Sequence, residues 1–199
     1  MSKELWDERY KNEEYIYGTE PNLFLEECLR RIRPANILLA AEGEGRNAVF
    51  AASLGCQVYA FDQSEEGRQK ANKLAASKNL KIDYKISDVL ETQYPANSFD
   101  MLGLIYFHLP PEIRRQSFHH ILQFLKPGGY LVLEAFSKKH FGNTFSGPKT
   151  LDLLYTFDDL MMDFEGMKII EAYETHIDID EGSFHKGPAE IIRLLLQKQ

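Results

Sequence analysis

Four carboxylates stand at stations along the first half of the chain: Glu42 and Glu44 on either side of Gly43, then Asp62, then Asp88. Each station follows a short apolar or alternating run, at 37–41, 57–61 and 82–86. Runs of that length read as strands, so acids fall at three successive strand ends. Gly43 and Gly45 allow a sharp turn and a close backbone approach to a ligand, with no Cβ in the way. Helical periodicity begins at Arg46-Asn47-Ala48, and the amides that open a helix are free to donate hydrogen bonds. Strand, glycine turn and helix in succession form the first crossover of a nucleotide-type α/β site.

Asp62 follows Gly43 by nineteen positions, close to the ~20-residue offset at which an acid reaches ribose hydroxyls. Ionised, it accepts from both hydroxyls while the neighbouring Ser64 caps the next helix. Asp88 serves either as an acceptor for an adenine amino group or as a turn residue. Gly43-x-Gly45-x-x-Ala48 also satisfies the dinucleotide fingerprint, and charge is what discriminates. A pyrophosphate in this turn would face Glu42 and Glu44 with only Arg46 to compensate, and anion against anion is costly. S-adenosylmethionine, with a sulfonium, an ammonium and no phosphate, suits the turn better. The plain alternative is a surface turn whose glutamates are solvated.

Two histidines qualify as a base or as groups that orient an acceptor, because imidazole titrates near neutrality. His108 lies just past the fourth predicted strand and His185 lies in the last predicted hairpin loop. A helix-capping histidine and a loop histidine bonded to backbone are the competing readings. His119 and His120 are helix neighbours that point to different faces, and Cys28 and Cys56 are too few to form a site, so no metal is expected.

These residues need elements to hold them. The chain has 199 residues, 44% hydrophobic and 27% charged, which suits one globular domain over 1–199. A formal charge of −7 argues against nonspecific phosphate-backbone binding, so no nucleic-acid partner is expected. The amino terminus lacks a signal-peptide core and no apolar run approaches the ~20 residues of a membrane span, so the expected location is the cytoplasm. Residues 1–31 read as a helical arm, with Pro21 starting its second helix and Trp6, Tyr10, Tyr15 and Tyr17 either packing it down or lidding a ligand. Residues 32–199 read as the core. Strands are expected at 57–61, 82–86, 99–105 and 130–136, with a helix from Pro111 to Leu125 broken by Lys126-Pro127-Gly128-Gly129. Ser64 and Thr156 are expected to cap helices. Residues 137–150 read as a substrate or lid loop. The runs 167–178 and 187–197 are joined too closely for a crossover helix and read as an antiparallel pair.

Together these features resemble the class I S-adenosylmethionine-dependent methyltransferases over essentially the whole chain. More narrowly, several segments are similar to the tellurite-resistance-related small-molecule branch. They are Trp6-Asp7-x-Arg9-Tyr10, Tyr17-Gly18-Thr19-x-Pro21-Asn22, Gly43-Glu44-Gly45-Arg46-Asn47-Ala48, His108-Leu109-Pro110 and Glu181-Gly182-x-x-His185-x-Gly187. The resemblance implies an α/β Rossmann-like sheet of seven mostly parallel strands with an antiparallel last strand and helices on both faces. It implies S-adenosyl-L-methionine as cofactor, with Gly43 and Gly45 against its amino-acid moiety, Asp62 on the ribose and Asp88 with Val89 at the adenine. Tyr10, Tyr17, Asn47, Gln63 and Tyr106 complete the expected cofactor set. Leu39 replaces an acid usual late in the first strand, which leaves Glu42 as the candidate for the cofactor ammonium. Ala41 stands where a first glycine is usual. The implied reaction is in-line methyl transfer to a small acceptor (a thiol, metalloid or similar) by a monomer or homodimer. A dinucleotide-dependent oxidoreductase and a catalytically silent cofactor-binding protein are the alternatives.

Overall fold

The computed structural model describes residues 3–199; Met1 and Ser2, the start of the expected arm, lie outside the described residues. Strand β1 (Asn36–Ala40) is buried at every position after Asn36. It pairs in parallel with β2 (Gln57–Asp62) on one side and β4 (Phe99–Ile105) on the other. Continuous burial is what a central parallel strand requires, since helices cover both its faces. The remaining strands are β3 (Asp83–Ile86), β5 (Leu125–Phe136), β6 (Lys168–Asp180) and β7 (Lys186–Gln197). The seven-stranded sheet runs β3-β2-β1-β4-β5-β7-β6. β7 is antiparallel to both its neighbours, as expected for the last strand.

Strand alternation sends successive side chains to two cores. Leu38, Leu102, Leu131 and Leu133 meet Phe118 and Ile121 of α5 (Pro111–Leu122) and Leu160 of α6 (Phe157–Asp163). Ile37, Leu39, Met101 and Val132 meet α2 (Leu23–Ile32), α3 (Arg46–Ser53) and α4 (Glu65–Ser77) through Leu25, Ala48, Ala51 and Ala71. Leu39 packs over Gly103, where an added Cβ would lie 2.4 Å from its Cδ2. An acid at position 39 would therefore enter the core, and burying it unpaired is costly. Helix α1 (Lys3–Tyr10) lies against α4.

Ser64 and Thr156 cap α4 and α6 by accepting from the amides of Gly67 and Asp159. Three boundaries differ from expectation. Asn22, not Pro21, opens α2, because its side chain accepts from the Leu25 amide while Pro21 stays outside the helix. Helix α5 ends at Leu122, and Leu125 already pairs with Phe99. Lys126-Pro127-Gly128-Gly129 is then an irregularity inside β5 rather than a break before it, since pairing resumes at Tyr130 opposite Met101.

Candidate active site

In the sheet, neighbouring strands β1 and β4 send their connections to opposite sides, and the crevice beyond their carboxyl ends is where α/β sheets bind ligands. A cavity of about 750 Å³ opens there, within the range of small-molecule sites. Its floor is the turn after β1. Ala41, Gly43 and Gly45 all hold left-handed backbone, at φ 51, 59 and 85°. For Ala41 that conformation costs about 1–2 kcal/mol, which is why glycine is the easier residue there.

Glu42 folds back onto the start of α3. Its Oε1 accepts from the Ala48 amide at 2.7 Å, and its Oε2 takes the Asn47 side chain at 3.4 Å. The helix N-terminus that would hold a phosphate is thus already filled by a carboxylate. Burial pushes the Glu42 carboxyl up to about 7 despite those bonds. Asp62 accepts from the amides of Gly43 at 3.0 Å and Ser64 at 2.9 Å, and burial pushes it up to about 6. Burial penalises the anionic form of both acids, so a cation placed between them is favoured.

Gly43 faces the ligand space, and an added Cβ there would sit 2.7 Å from the Tyr10 hydroxyl. Gly45 does not face it. Its added Cβ would lie 2.4 Å from Cβ of Ala71, so this glycine lets α3 pack on α4. Every other expected residue lines the cavity: Tyr10, Tyr17, Glu42, Gly43, Asn47, Asp62, Gln63, Asp88, Val89, Tyr106, His108 and His185. Asp88 sits exposed at the end beyond β3, its Oδ1 on the Leu90 amide at 3.0 Å, and Val89 is buried beside it.

His108 lines the cavity with both ring nitrogens engaged. Nδ1 lies 2.6 Å from the Leu153 carbonyl and Nε2 accepts from the Phe136 amide at 3.3 Å. That pairing fixes the neutral tautomer with both ring nitrogens engaged, and burial pushes the imidazole down to about 4. His185 is different. Nδ1 lies 3.4 Å from Glu181 Oε2, and the ring sits between Tyr17 and Tyr106, each 4.5 Å away by centroid. Burial pushes its titration down, with Glu181 opposing, and Nε2 has no partner among the described residues. This is a histidine oriented by a carboxylate, with one nitrogen left for chemistry.

Behind the cavity lies a charged network that the sequence reading did not assign. Glu134, fully buried in β5, accepts from Tyr106 Oη at 2.6 Å, Asn22 Nδ2 at 2.7 Å and Arg193 Nε at 2.6 Å. Arg46 pairs with Glu181 at 2.8 Å. Burial opposes ionisation of Glu181, but His185 and Arg46 outweigh it and hold the carboxyl down at about 2. The available signal was a lone acid in Tyr130–Phe136 and a lone base in Ile191-Ile192-Arg193-Leu194, each interrupting an apolar strand. Tyr106, at φ 51°, is strained into place at the end of β4 by this network.

The amino-terminal segment forms one wall. Asp7 Oδ1 accepts from Ser64 Oγ at 2.6 Å and from the Glu66 amide at 3.3 Å. Trp6 stacks on Tyr10 at 5.4 Å, and Arg9 Nη1 donates to Tyr17 Oη at 3.0 Å. The β6–β7 connection meets this segment directly: the Phe184 amide donates to the Ile16 carbonyl at 3.2 Å. A Cβ on Gly182 would lie 2.5 Å from the Gly18 nitrogen. Among the described residues, no group of three His, Cys, Asp or Glu side chains is arranged to hold a metal ion, and no helix is long and apolar enough to cross a membrane.

A methyltransferase domain model matches residues 37–129, the stretch that carries Glu42, Gly43, Asp62, Asp88, Tyr106 and His108. No curated protein matches the sequence. Among solved structures, one described for the conversion of a disulfide bond into a thioacetal group during echinomycin biosynthesis superposes with a TM-score of 0.82 at 16% identity, covering 99% of this chain and 91% of that one. TehB from Haemophilus influenzae superposes with a TM-score of 0.73 at 16% identity, covering 99% of this chain and 67% of that one. A Burkholderia thailandensis 1,6-didemethyltoxoflavin-N1-methyltransferase, with its substrate and S-adenosylhomocysteine bound, gives 0.65 at 16% identity, covering 88% and 76%. The domain match is to the methyltransferase class, over residues 37–129, and the sheet order β3-β2-β1-β4-β5-β7-β6 belongs to the fold this chain shares with these structures. Within the class, the likeness to the Haemophilus protein is one of fold, which leaves the acceptor to be argued from the site.

Proposed function

We propose that the chain methylates a small acceptor, a thiol, reduced metalloid or similar nucleophile, as the tellurite-resistance-related branch would. The observation that carries this reading is the pair of buried acids, Glu42 and Asp62, in a cavity whose helix N-terminus is already capped. Such a floor fits a cationic cofactor and repels a pyrophosphate. Glu42 is placed to take the cofactor ammonium, Gly43 and Asn47 to lie along its amino-acid portion, and Asp62 with Gln63 to take the ribose. Asp88 and Val89 are placed for the adenine, and Tyr10, Tyr17 and Tyr106 for the walls around the sulfur.

When bound, S-adenosylmethionine supplies an electrophilic methyl group on a sulfonium. The chain's own part is mostly orientation and exclusion of water, the terms that dominate when a good nucleophile is held in line. His185 Nε2 is the group that receives a proton from an acceptor that must lose one, with Glu181 holding the ring through Nδ1. A thiolate acceptor needs no such step. Residues 1–31 act as a lid, supported by the Trp6, Tyr10 and Tyr17 wall and its junction with 181–185.

Thermal shift with S-adenosylhomocysteine, S-adenosylmethionine and NADH at equal concentration tests the reading. A ligand at 100 times its Kd adds ~2.7 kcal/mol, or roughly 5–10 °C for a domain of this size. A rise with the first two and none with NADH is expected. A rise with NADH alone would overturn it.

A further inference from the structure

We propose that Arg9 reads a negative charge on the methyl acceptor, so that the acceptor is a small molecule with an apolar body and one carboxylate; this rests on the methyl-transfer reading above. The cavity is electrically divided. Its acids, Glu42, Glu44, Asp62 and Asp88, all lie at or just beyond the carboxyl ends of β1, β2 and β3. A cofactor with a sulfonium and an ammonium against one carboxylate carries net positive charge, and this side suits it.

The cavity's cations are Arg9, Arg46 and Lys149. Arg46 is neutralised by Glu181 at 2.8 Å. Lys149 turns its ammonium back onto the carbonyls of Asn143 and Ser146, both at 3.0 Å. Arg9 has no carboxylate partner among the described residues. Its guanidinium lies 4.7 Å from the Trp6 ring centroid and 5.6 Å from that of Phe184, and it makes one hydrogen bond, to Tyr17 Oη. A guanidinium has five N–H donors in a fixed planar fork, so four remain. The two rings shield the guanidinium without using its N–H donors, and a planar fork of free donors can bind a carboxylate through two parallel bonds.

Trp6 and Phe184 flank Arg9, and the same cavity is lined by Phe145, Leu109, Pro110, Ile113 and Leu153, with Phe145 and Phe184 both exposed. A hydrocarbon or aromatic body covers those faces while its carboxylate meets Arg9. Residues on two distant parts of the chain, Trp6 with Arg9 and Phe184, therefore define one subsite.

Calorimetric titration of the protein saturated with S-adenosylhomocysteine, using benzoate and the neutral isostere benzamide as probes, tests this. Benzoate is expected to bind at least tenfold more tightly than benzamide. Arg9→Gln should erase that ratio, and Arg9→Lys should keep part of it, because charge persists while the planar fork is lost. Equal binding of the two probes, or no benzoate binding by a protein that does bind S-adenosylhomocysteine, overturns the proposal. So does an Arg9→Gln protein that loses affinity for S-adenosylhomocysteine but keeps it for 5′-methylthioadenosine, which would give Arg9 to the cofactor's own carboxylate. Failure to bind S-adenosylhomocysteine at all would instead overturn the methyl-transfer reading, and this proposal with it.

Discussion

Replacing Glu42 by Gln removes the titration of one buried acid while keeping an oxygen for the Ala48 amide. In the folded protein burial raises Glu42 from its ordinary 4.5 to about 7. The proton-bound form is therefore the one that folding favours. Its contribution is fully present below pH 4.5 and is lost as pH rises through about 7. A displacement of about 2.5 pKa units at ~1.4 kcal/mol each gives about 3 kcal/mol, lost between those limits. Wild-type stability alone will not display this cleanly, because His108 acts in the opposite direction. Its folded value of about 4, against an ordinary 6.5, gives stability that is present above pH 6.5 and lost as pH falls toward 4. The difference between wild type and Glu42→Gln cancels His108 and isolates Glu42. Urea unfolding of both proteins from pH 4.5 to 8 should show the variant gaining about 3 kcal/mol on the wild type across that range. A cofactor ammonium beside Glu42 also favours its ionised form. Binding of S-adenosylhomocysteine at pH 6 should then release a proton in the wild type and not in the variant, read by calorimetry in buffers of different ionisation enthalpy. A difference profile flat to within about 0.5 kcal/mol would refute the placement of Glu42 as a buried, proton-retaining acid.

Asp62→Asn should lower S-adenosylhomocysteine affinity at least tenfold, by titration, and cost about 1–3 kcal/mol of stability, because Asp62 also holds the Gly43 and Ser64 amides. Gly45→Ala should cost about 2–4 kcal/mol in urea melts, since the new Cβ meets Ala71 and the backbone is left-handed; Gly43→Ala, also left-handed, should cost about 1–2 kcal/mol and in addition lower ligand affinity by pressing on the Tyr10 hydroxyl. His185→Gln should reduce kcat by about 10²–10⁴ for an acceptor that must lose a proton, with stability little changed; His108→Gln should lower stability by about 1–3 kcal/mol and leave kcat of the folded protein intact.

The parts of this structure legible in the sequence are those governed by neighbours along the chain. Strands β1, β2 and β4 announced themselves as short apolar runs, and the Ser64 and Thr156 caps act on amides three residues away. Asp62 was found because a strand end and a glycine turn fix its distance from Gly43. What the sequence hid depends on contacts between remote segments. His108 looked free because its partners, Leu153 and Phe136, stand 45 and 28 positions on. The close seat of Gly45 against Ala71 on the next helix was invisible from the turn. The Arg46–Glu181 pair spans 135 positions, and no local pattern marks two charges that far apart as partners. Periodicity also misplaced Lys126-Pro127-Gly128-Gly129, since an irregularity within a strand and a loop before it share the same glycines.

The junction of 181–185 with Tyr17 and Gly18 bears on how the protein is made. A ribosome delivers the glycine turn, Asp62 and Asp88 well before it delivers Phe184, and chains begin to fold from the amino-terminal side during synthesis. Until the last hairpin emerges, Arg46 has no Glu181 and the arm has no Ile16–Phe184 seam to rest on. A nascent chain stopped short of residue 181 thus presents its acid-lined floor open to water, with the far wall missing. The far wall of the cavity therefore closes only once the β6–β7 hairpin has been made and has met the arm.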